Sequence, residues 1–209
     1  MMLRTLIFLS FILFSNSVLS KEIPIIVISA GKTPQSYSSV GSQVTVIDSA
    51  TIENSSDSFL TDLLDSEAQG LNIFQLGGVG TNTGIQLRGL PKRYSTVYID
   101  GVKMYDPSAP DNAFYAQGLY KDSIDRIEIL KGSQSSLYGN GAVGGTINIF
   151  TKKGKLGNHQ NTAVRASQNN TKDVFYSIDG ADEKQNYYMG FNYYSTDGIS
   201  AMSNDTEAD

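Results

Sequence analysis

Hydrophobic and polar residues alternate with a period of two in several short stretches of the chain, the pattern of half-buried β-strands. In the first three quarters of the chain the strand candidates are 43–49, 84–89, 96–101, 125–132 and 147–153. One segment has helical spacing instead, with an apolar face of Phe59, Leu60, Leu63 and Leu64. Ser56 and Asp57 are its candidate N-terminal caps, and we expect the helix to end near Gly70.

The relative direction of the strands 84–89 and 96–101 decides which loops meet. If the two strands pair as an antiparallel hairpin, the loop 75–84 and the loop 102–116 lie at one end. The connecting turn 90–94, which contains Lys92 and Arg93, then lies at the opposite end. We therefore expect a ligand to reach the two loops and not this turn.

From about Thr162 the alternation becomes longer and richer in tyrosine. In the segment 186–195 the residues Tyr187, Met189, Phe191 and Tyr193 oppose Tyr188, Gly190, Asn192 and Tyr194. One apolar face and one mostly polar face are typical of strands in a transmembrane β-barrel. A soluble antiparallel sheet with one buried face has the same alternation, so this pattern alone leaves both alternatives open.

The first twenty residues have the layout of a secretory signal peptide. Arg4 precedes an apolar run over 6–14, and small and polar residues follow up to Ser20, after which we expect cleavage. The run is shorter than the roughly 20 residues of a membrane-spanning helix. Residues 21–42 combine a short apolar run with small, polar, glycine and proline residues, which indicates an extended, mobile N-terminal arm.

Composition excludes several classes of function. A net charge of −5 argues against nucleic acid as a partner, because nucleic acid requires a basic face. The chain has no cysteine and one histidine, so it lacks the residues for a thiol nucleophile, a Ser-His-Asp site or a metallohydrolase site. We therefore expect no enzymatic activity and no cofactor. Three acidic residues near the C-terminus are candidate calcium ligands, with a solvated acidic loop as the alternative: Asp205, Glu207 and Asp209.

The segment 139–144 reads GNGAVG and matches the G-x-G-x-x-G pattern of dinucleotide-binding turns. That turn must open a helix, whose N-terminal N–H groups meet the pyrophosphate. Here the residues that follow alternate as a strand, and no acidic residue stands where the ribose would need one. The sequence therefore argues against NAD or FAD binding.

Three motifs, in order and with matching spacing, resemble the plug domain of TonB-dependent outer-membrane receptors. They are IQLRGL, VYIDGV and DRIEILKGSQSSLYGNGAVGGTINIFTKKG, and the resemblance covers about 43–154. Gln134 stands where the family usually has proline. The layout is most similar to the vitamin B12 receptor branch. The resemblance implies an α+β plug domain, a small mixed sheet with short helices, followed by the start of a transmembrane antiparallel β-barrel.

The resemblance also implies a division of the chain. We expect a signal peptide at 1–20, an arm with a TonB box at 21–42, the plug at 43–154, and a linker with the first barrel strands at 155–209. The TonB-box residues are Pro24, Ile25, Ile26, Val27, Ile28, Ser29 and Ala30. Extended β-branched residues suit addition as a strand to the sheet edge of a partner. Pro24 and Ile25 depart from the acidic residue and threonine that are usual there.

The function implied by the resemblance is TonB-energised import of a corrinoid or an iron–siderophore complex across the outer membrane. The implied partners are a TonB-type periplasmic protein, outer-membrane lipid and the ligand. We expect ligand contacts in the two loops at Gln75, Asn82, Thr83, Met104, Tyr105, Asp106 and Tyr115. Four charges in apolar strands are expected either to pair with the barrel wall or to lie at solvated strand edges: Arg88, Arg126, Glu128 and Lys131.

A different class of function is also compatible with the sequence. The chain has room for about three barrel strands of 9–11 residues, whereas a plugged transporter barrel has about 22. Either the sequence is part of a longer receptor, or the barrel never forms. In the second case the alternative is a secreted plug-like binding or adhesion protein without transport activity.

Overall fold

The computed structural model describes residues 26–111 and 113–199. The strands are β1 Ile26–Val27, β2 Gln35–Ser36, β3 Gln43–Ile47, β4 Leu71–Gln75, β5 Thr83–Leu87, β6 Ser95–Ile99, β7 Val102–Met104, β8 Ile124–Lys131, β9 Gly145–Thr151, β10 Gly157–Ser167, β11 Thr171–Ala181 and β12 Asn186–Ser195. The α-helices are α1 Ser49–Asn54, α2 Leu60–Glu67 and α3 Ser135–Tyr138. Every predicted strand is present, within about two residues at the ends of most of them.

The central sheet of the α+β domain has five strands in the order β3-β8-β9-β6-β7. It is mixed, because β6 runs parallel to β9 while the other neighbouring pairs are antiparallel. Its two faces are buried against different parts of the chain. One face carries the main core with α1 and α2, including Ile47, Val97, Ile127, Ile147 and Ile149. The other face is covered by Val27 from the N-terminal arm and by the segment around Tyr138 and Ala142.

Two local details differ from the sequence-based expectation. The predicted strand 43–49 ends at Ile47, because the Asp48 carboxylate accepts a hydrogen bond from the Thr51 N–H at 2.9 Å and caps α1. The predicted caps of α2 are wrong: the helix begins at Leu60, beyond Ser56 and Asp57. The N–H of Leu60 instead donates to the Leu119 carbonyl at 2.7 Å, so a distant segment satisfies the start of this helix.

The predicted hairpin between the strands 84–89 and 96–101 is wrong. β5 pairs with β4, and β6 pairs with β7 and β9. After β6 the chain reverses at Asp100 and Gly101, which have φ angles of 47° and 83°. Two consecutive residues with positive φ are the signature of a tight two-residue hairpin turn, here joining β6 to β7. The chain therefore returns along β7 before the loop that follows.

Strands β10, β11 and β12 form a separate antiparallel sheet, which we call the meander sheet. Its register places most of the large apolar residues of the three strands on one face, as the alternation predicted, while Phe175 lies buried on the other. That face is exposed, and Phe191 retains 65% of its accessible surface. The polar face is turned toward the α+β domain, where Tyr188 and Asn192 hydrogen-bond to Asp122. No helix within 26–111 and 113–199 is long and apolar enough to cross a membrane.

Candidate functional site

A buried carboxylate on β8 holds the N-terminal arm. The Glu128 side chain has no accessible surface and accepts hydrogen bonds from the N–H groups of Ile28 at 3.0 Å and Ser29 at 2.8 Å. It also accepts from the Ser29 hydroxyl, and Arg126 Nη2 lies 3.0 Å away. Hydrogen bonds to an ionised group are roughly twice as strong as neutral ones. We call Ile28, Ser29, Arg126 and Glu128 the arm site.

Two further contacts fix the same segment of the arm. Val27 is completely buried in a cluster with Val44 and Leu130. The Ser29 carbonyl accepts a hydrogen bond from the Tyr138 hydroxyl at 2.5 Å. Burial, with the nearby charge of Glu128 as a second cause, raises the pKa of Tyr138 to about 12. Its hydroxyl therefore keeps its proton and remains a donor at neutral pH.

The expectation of a mobile arm is thus wrong for residues 27–30. A local pattern of small and polar residues indicates no structure of its own, but here the partners are distant strands of the central sheet. Of the TonB-box residues, Pro24, Ile25 and the side chain of Ile26 lie outside the described residues. Asp205, Glu207 and Asp209 lie outside them as well.

The four charges expected to face a barrel wall have different surroundings. Arg126 and Glu128 pair with each other at the arm site. Lys131 is buried at the end of β8, and this burial lowers its pKa. Arg88 is exposed and has a positive φ of 56° in the turn after β5. Among the described residues, no hydrogen bond or ion pair joins these four side chains to the meander sheet, so their contact with a wall stays a prediction.

The two loops expected to bind ligand lie together. The Thr83 carbonyl accepts from the Ala116 N–H at 2.8 Å, and the Gln117 side chain bridges Thr83 and Asn82. Gln75 and Asn82 are exposed. Thr83 is buried and donates its hydroxyl to the Thr81 carbonyl, which makes it a support for the loop.

The candidate ligand contacts in the second loop, 102–116, have different surroundings. Tyr105 is 55% exposed and available to a ligand, whereas Met104 packs against the main core. The Asp106 carboxylate accepts from the N–H and hydroxyl of Ser108, and these bonds lower its pKa. The Tyr115 hydroxyl contacts the Lys92 ammonium group. Asp106 therefore orders the loop from within, and Tyr115 attaches it to the turn 90–94.

The turn 90–94 is not at the opposite end, so that prediction is wrong. The Lys92 ammonium nitrogen stands 4.1 Å from the centre of the Tyr115 ring and 3.8 Å from an oxygen of Asp111. The reason is the reversal at Asp100 and Gly101, which carries the following loop back to the start of β6. We call the end formed by 75–84, 90–94 and 102–116 the loop end.

A cavity of about 490 Å³ opens at the loop end. Its lining includes Arg93, Lys103, Met104, Phe114 and Asn140. Cationic groups, an amide and apolar side chains together can hold a ligand that combines apolar surface with hydrogen-bond acceptors. Of these residues only Met104 was a predicted ligand contact, and Arg93 was expected at the opposite end. The Asp-Gly pair at 100–101, flanked by alternating apolar residues, was the signal for the reversal that brings them together.

The glycine-rich turn 139–144 serves close packing. It follows α3 and leads into β9, so a strand and not a helix begins at its end, as the sequence predicted. A Cβ atom on Gly144 would lie 3.1 Å from the Tyr94 carbonyl oxygen, which is tighter than side chains normally tolerate. The glycine therefore permits the turn to lie directly against the chain at the loop end.

Comparison with known proteins places this arrangement in a family. Residues 36–146, more than half of the chain, match the model of the TonB-dependent Receptor Plug Domain. The chain is 33% identical over 127 residues to the vitamin B12 transporter BtuB of Vibrio cholerae serotype O1, covering 61% of this chain and 20% of that protein. It thus spans about a fifth of the length of the curated relatives it matches.

Solved structures of receptors share the fold. The siderophore receptor PiuA from Acinetobacter baumannii aligns with a TM-score of 0.64 at 23% identity, covering 83% of this chain and 23% of that one. The ferric enterobactin receptor PfeA from Pseudomonas aeruginosa aligns with a TM-score of 0.57 at 21% identity, covering 73% and 24%. These likenesses confirm the predicted fold class, an α+β plug followed by the start of a transmembrane antiparallel β-barrel. The chain belongs to the TonB-dependent receptor plug domain family.

Proposed function

We propose that this chain is the plug-bearing part of an outer-membrane transporter, which binds a scarce ligand outside and imports it to the periplasm with energy from a TonB-type protein. The observation that carries the proposal is the arm site. The segment expected to be the TonB box is held by main-chain N–H groups on a single carboxylate. These noncovalent contacts and the two-residue pairing of β1 with β2 fix the segment in place, so a partner can remove it.

Energy coupling follows from competition for the same N–H groups. Strand addition to a partner uses backbone donors and acceptors along the added segment. In the docked arm the donors of Ile28 and Ser29 already bond to Glu128. The arm therefore pairs with a TonB-type protein only after it leaves the arm site. Docked and energised states exclude each other.

The ligand we propose is a corrinoid or an iron–siderophore complex. The relatives support both classes, because one is a vitamin B12 transporter and others are siderophore receptors. At the loop end, Gln75, Asn82 and Tyr105 present exposed polar or aromatic groups to such a ligand. Thr83, Met104, Asp106 and Tyr115 act as supports of the two loops.

The site of action we propose is the outer membrane. A signal peptide over 1–20 directs export. The exposed apolar face of the meander sheet, which includes Met189, Phe191 and Tyr193, then contacts lipid chains. Contact of this apolar surface with water would be unfavourable.

Uptake in the native host tests this function. The gene is deleted and restored, and cells receive radiolabelled vitamin B12 or labelled ferric enterobactin, with and without a proton uncoupler. We expect one of the two labels to accumulate only in restored, energised cells. Surface binding that never leads to uptake would support the alternative of a binding protein without transport, and absence of both binding and uptake would overturn the proposal.

A further inference from the structure

A second cluster of charged residues lies where the plug meets the meander sheet. Asp122, which is 6% exposed, belongs to the short 3₁₀ turn Lys121–Ser123 directly before β8. Arg165 on β10 donates to both oxygens of Asp122, in one case at 2.9 Å, and to Asp173 on β11 at 2.7 Å. We call Ser58, Asp122, Arg165 and Asp173 the Arg165 cluster.

The cluster binds the two parts of the chain through several independent contacts. The Ser58 hydroxyl donates to the Asp173 carboxylate at 2.5 Å, and the Ser58 carbonyl accepts from the Lys121 N–H at 3.2 Å. The Asp122 carbonyl accepts from the Tyr188 hydroxyl at 3.3 Å. The guanidinium group of Arg165 thus forms ion pairs with a carboxylate of the plug and a carboxylate of the meander sheet at the same time.

Arg165 is the member that the cluster cannot lose. Asp173 is almost fully buried, and its second oxygen already lacks a hydrogen-bond partner among the described residues. Removing Arg165 leaves Asp173 without an ion pair among the described residues, while Asp122 keeps only Lys121, whose ammonium nitrogen lies 3.7 Å from its carboxylate. Breaking a buried pair on one side is strongly destabilising for this reason. The attachment of the plug to the meander sheet would then weaken at this point, where only neutral donors such as Ser58 and Tyr188 would still bind the carboxylates and backbone of the cluster.

The arm site and the Arg165 cluster act on the same strand. Asp122 lies two residues before β8 begins, and Glu128 lies in the middle of β8. β8 is an interior strand, paired with β3 on one side and β9 on the other. A pull on the arm therefore reaches β8 through Glu128 and is opposed at Asp122.

We propose that Arg165 fixes β8 to the meander sheet, so that β8 stays in place when the arm leaves Glu128. The inference rests on the proposed function, in which a partner draws the arm away. During transport the arm would leave the plug while β8 stays in place, and Arg165 is then a positioning residue.

Hydrogen exchange tests whether the two attachments are independent. The full-length gene product is studied in detergent as the unmodified protein and as Arg165→Met, Glu128→Gln and the control Lys172→Met, which removes an exposed cation from β11. We expect Arg165→Met to raise amide exchange over 121–124 at least tenfold and to leave 27–30 unchanged. Glu128→Gln should do the reverse. Equal exchange of 121–124 in Arg165→Met and Lys172→Met, or release of the arm by Arg165→Met, would overturn the inference.

A reversible cross-link provides a second test that needs no disruption of the cluster. The chain has no cysteine, and a Cβ atom on Gly190 would lie 2.8 Å from Ser123 Oγ. This separation suits a disulfide, in which the Cβ atom of one cysteine lies about 3 Å from the sulfur of the other. The variant S123C/G190C locks the start of β8 to the meander sheet when it is oxidised.

Uptake of radiolabelled vitamin B12 and ferric enterobactin is then compared in oxidised and reduced cells carrying this variant. We expect the oxidised form to transport within twofold of the reduced form. Loss of uptake on oxidation that returns with reductant would overturn the inference, because β8 must then move away from the sheet. If the unmodified protein takes up neither label, the proposed function fails, while the exchange experiment still decides whether Arg165 fixes β8.

Discussion

Removing the charge of Glu128 should release the arm from the plug. In Glu128→Gln one terminal atom becomes an NH₂ group, which can only donate. If that group faces Arg126, the remaining oxygen still accepts from the N–H groups of Ile28 and Ser29 and from the Ser29 hydroxyl, but as neutral bonds. Each bond to a charged acceptor contributes about 2 kcal/mol and each neutral one about 1 kcal/mol. Three such bonds therefore lose about 3 kcal/mol, which corresponds to a roughly 100-fold larger undocked fraction.

Labelling of a buried cysteine measures this fraction directly. Val27 has no accessible surface, so V27C reacts with a maleimide only while the arm is undocked. We expect Glu128→Gln to raise the labelling rate of V27C about 100-fold. The matched control is A142C, which is equally buried on the same side of the sheet but contacts a different cluster. Equal rates for V27C with and without Glu128→Gln, or an equal increase at A142C, would refute the role of the carboxylate.

Three further predictions concern coupling, the arm and the ligand. Val27→Pro should abolish uptake while ligand still binds to cells, because proline removes the backbone N–H donor and fixes φ. Val27→Ile keeps this donor and should transport almost normally. Normal transport by Val27→Pro would place the coupling segment elsewhere. Tyr138→Phe should raise V27C labelling about fivefold, because the arm loses one hydrogen bond worth about 1 kcal/mol; an unchanged rate would contradict this. The ligand is whichever of vitamin B12 and ferric enterobactin the cells bind. Tyr105→Ala and Lys92→Met should both weaken this binding, whereas the control Lys153→Met should not. An effect of Lys153→Met alone would contradict the assignment of the loop end.

Local patterns allowed the strands to be predicted but not their partners. Alternation identifies a half-buried strand because only neighbouring side chains decide it, and β8 and β9 accordingly lie where the sequence placed them. The pairing of β6 with β9 could not be inferred in this way, because the partner lies about fifty residues further on. The false hairpin arose from assuming that consecutive strands pair, although Asp100 and Gly101 mark the true reversal.

The arm site could not be predicted from local sequence patterns either, because its partners are also distant in the sequence. Glu128 stands out in the sequence as a charge within an apolar strand, and such a residue needs a partner when it is buried. The sequence offered a barrel wall or solvent as that partner. The actual partners are N–H groups about one hundred residues earlier, and backbone groups carry no sequence signal at all.

The distances along the chain between paired segments also set an order of folding. β10, β11 and β12 are joined by short turns, so the meander sheet closes only local loops and forms quickly. The central sheet must wait for β9, because β8 and β6 both pair with it. Docking of the arm on Glu128 closes a loop of about one hundred residues, and the Ser58–Asp173 contact between the plug and the meander sheet closes one of 115. The arm, which precedes every strand of the central sheet in the sequence, is therefore among the last segments to reach its native place.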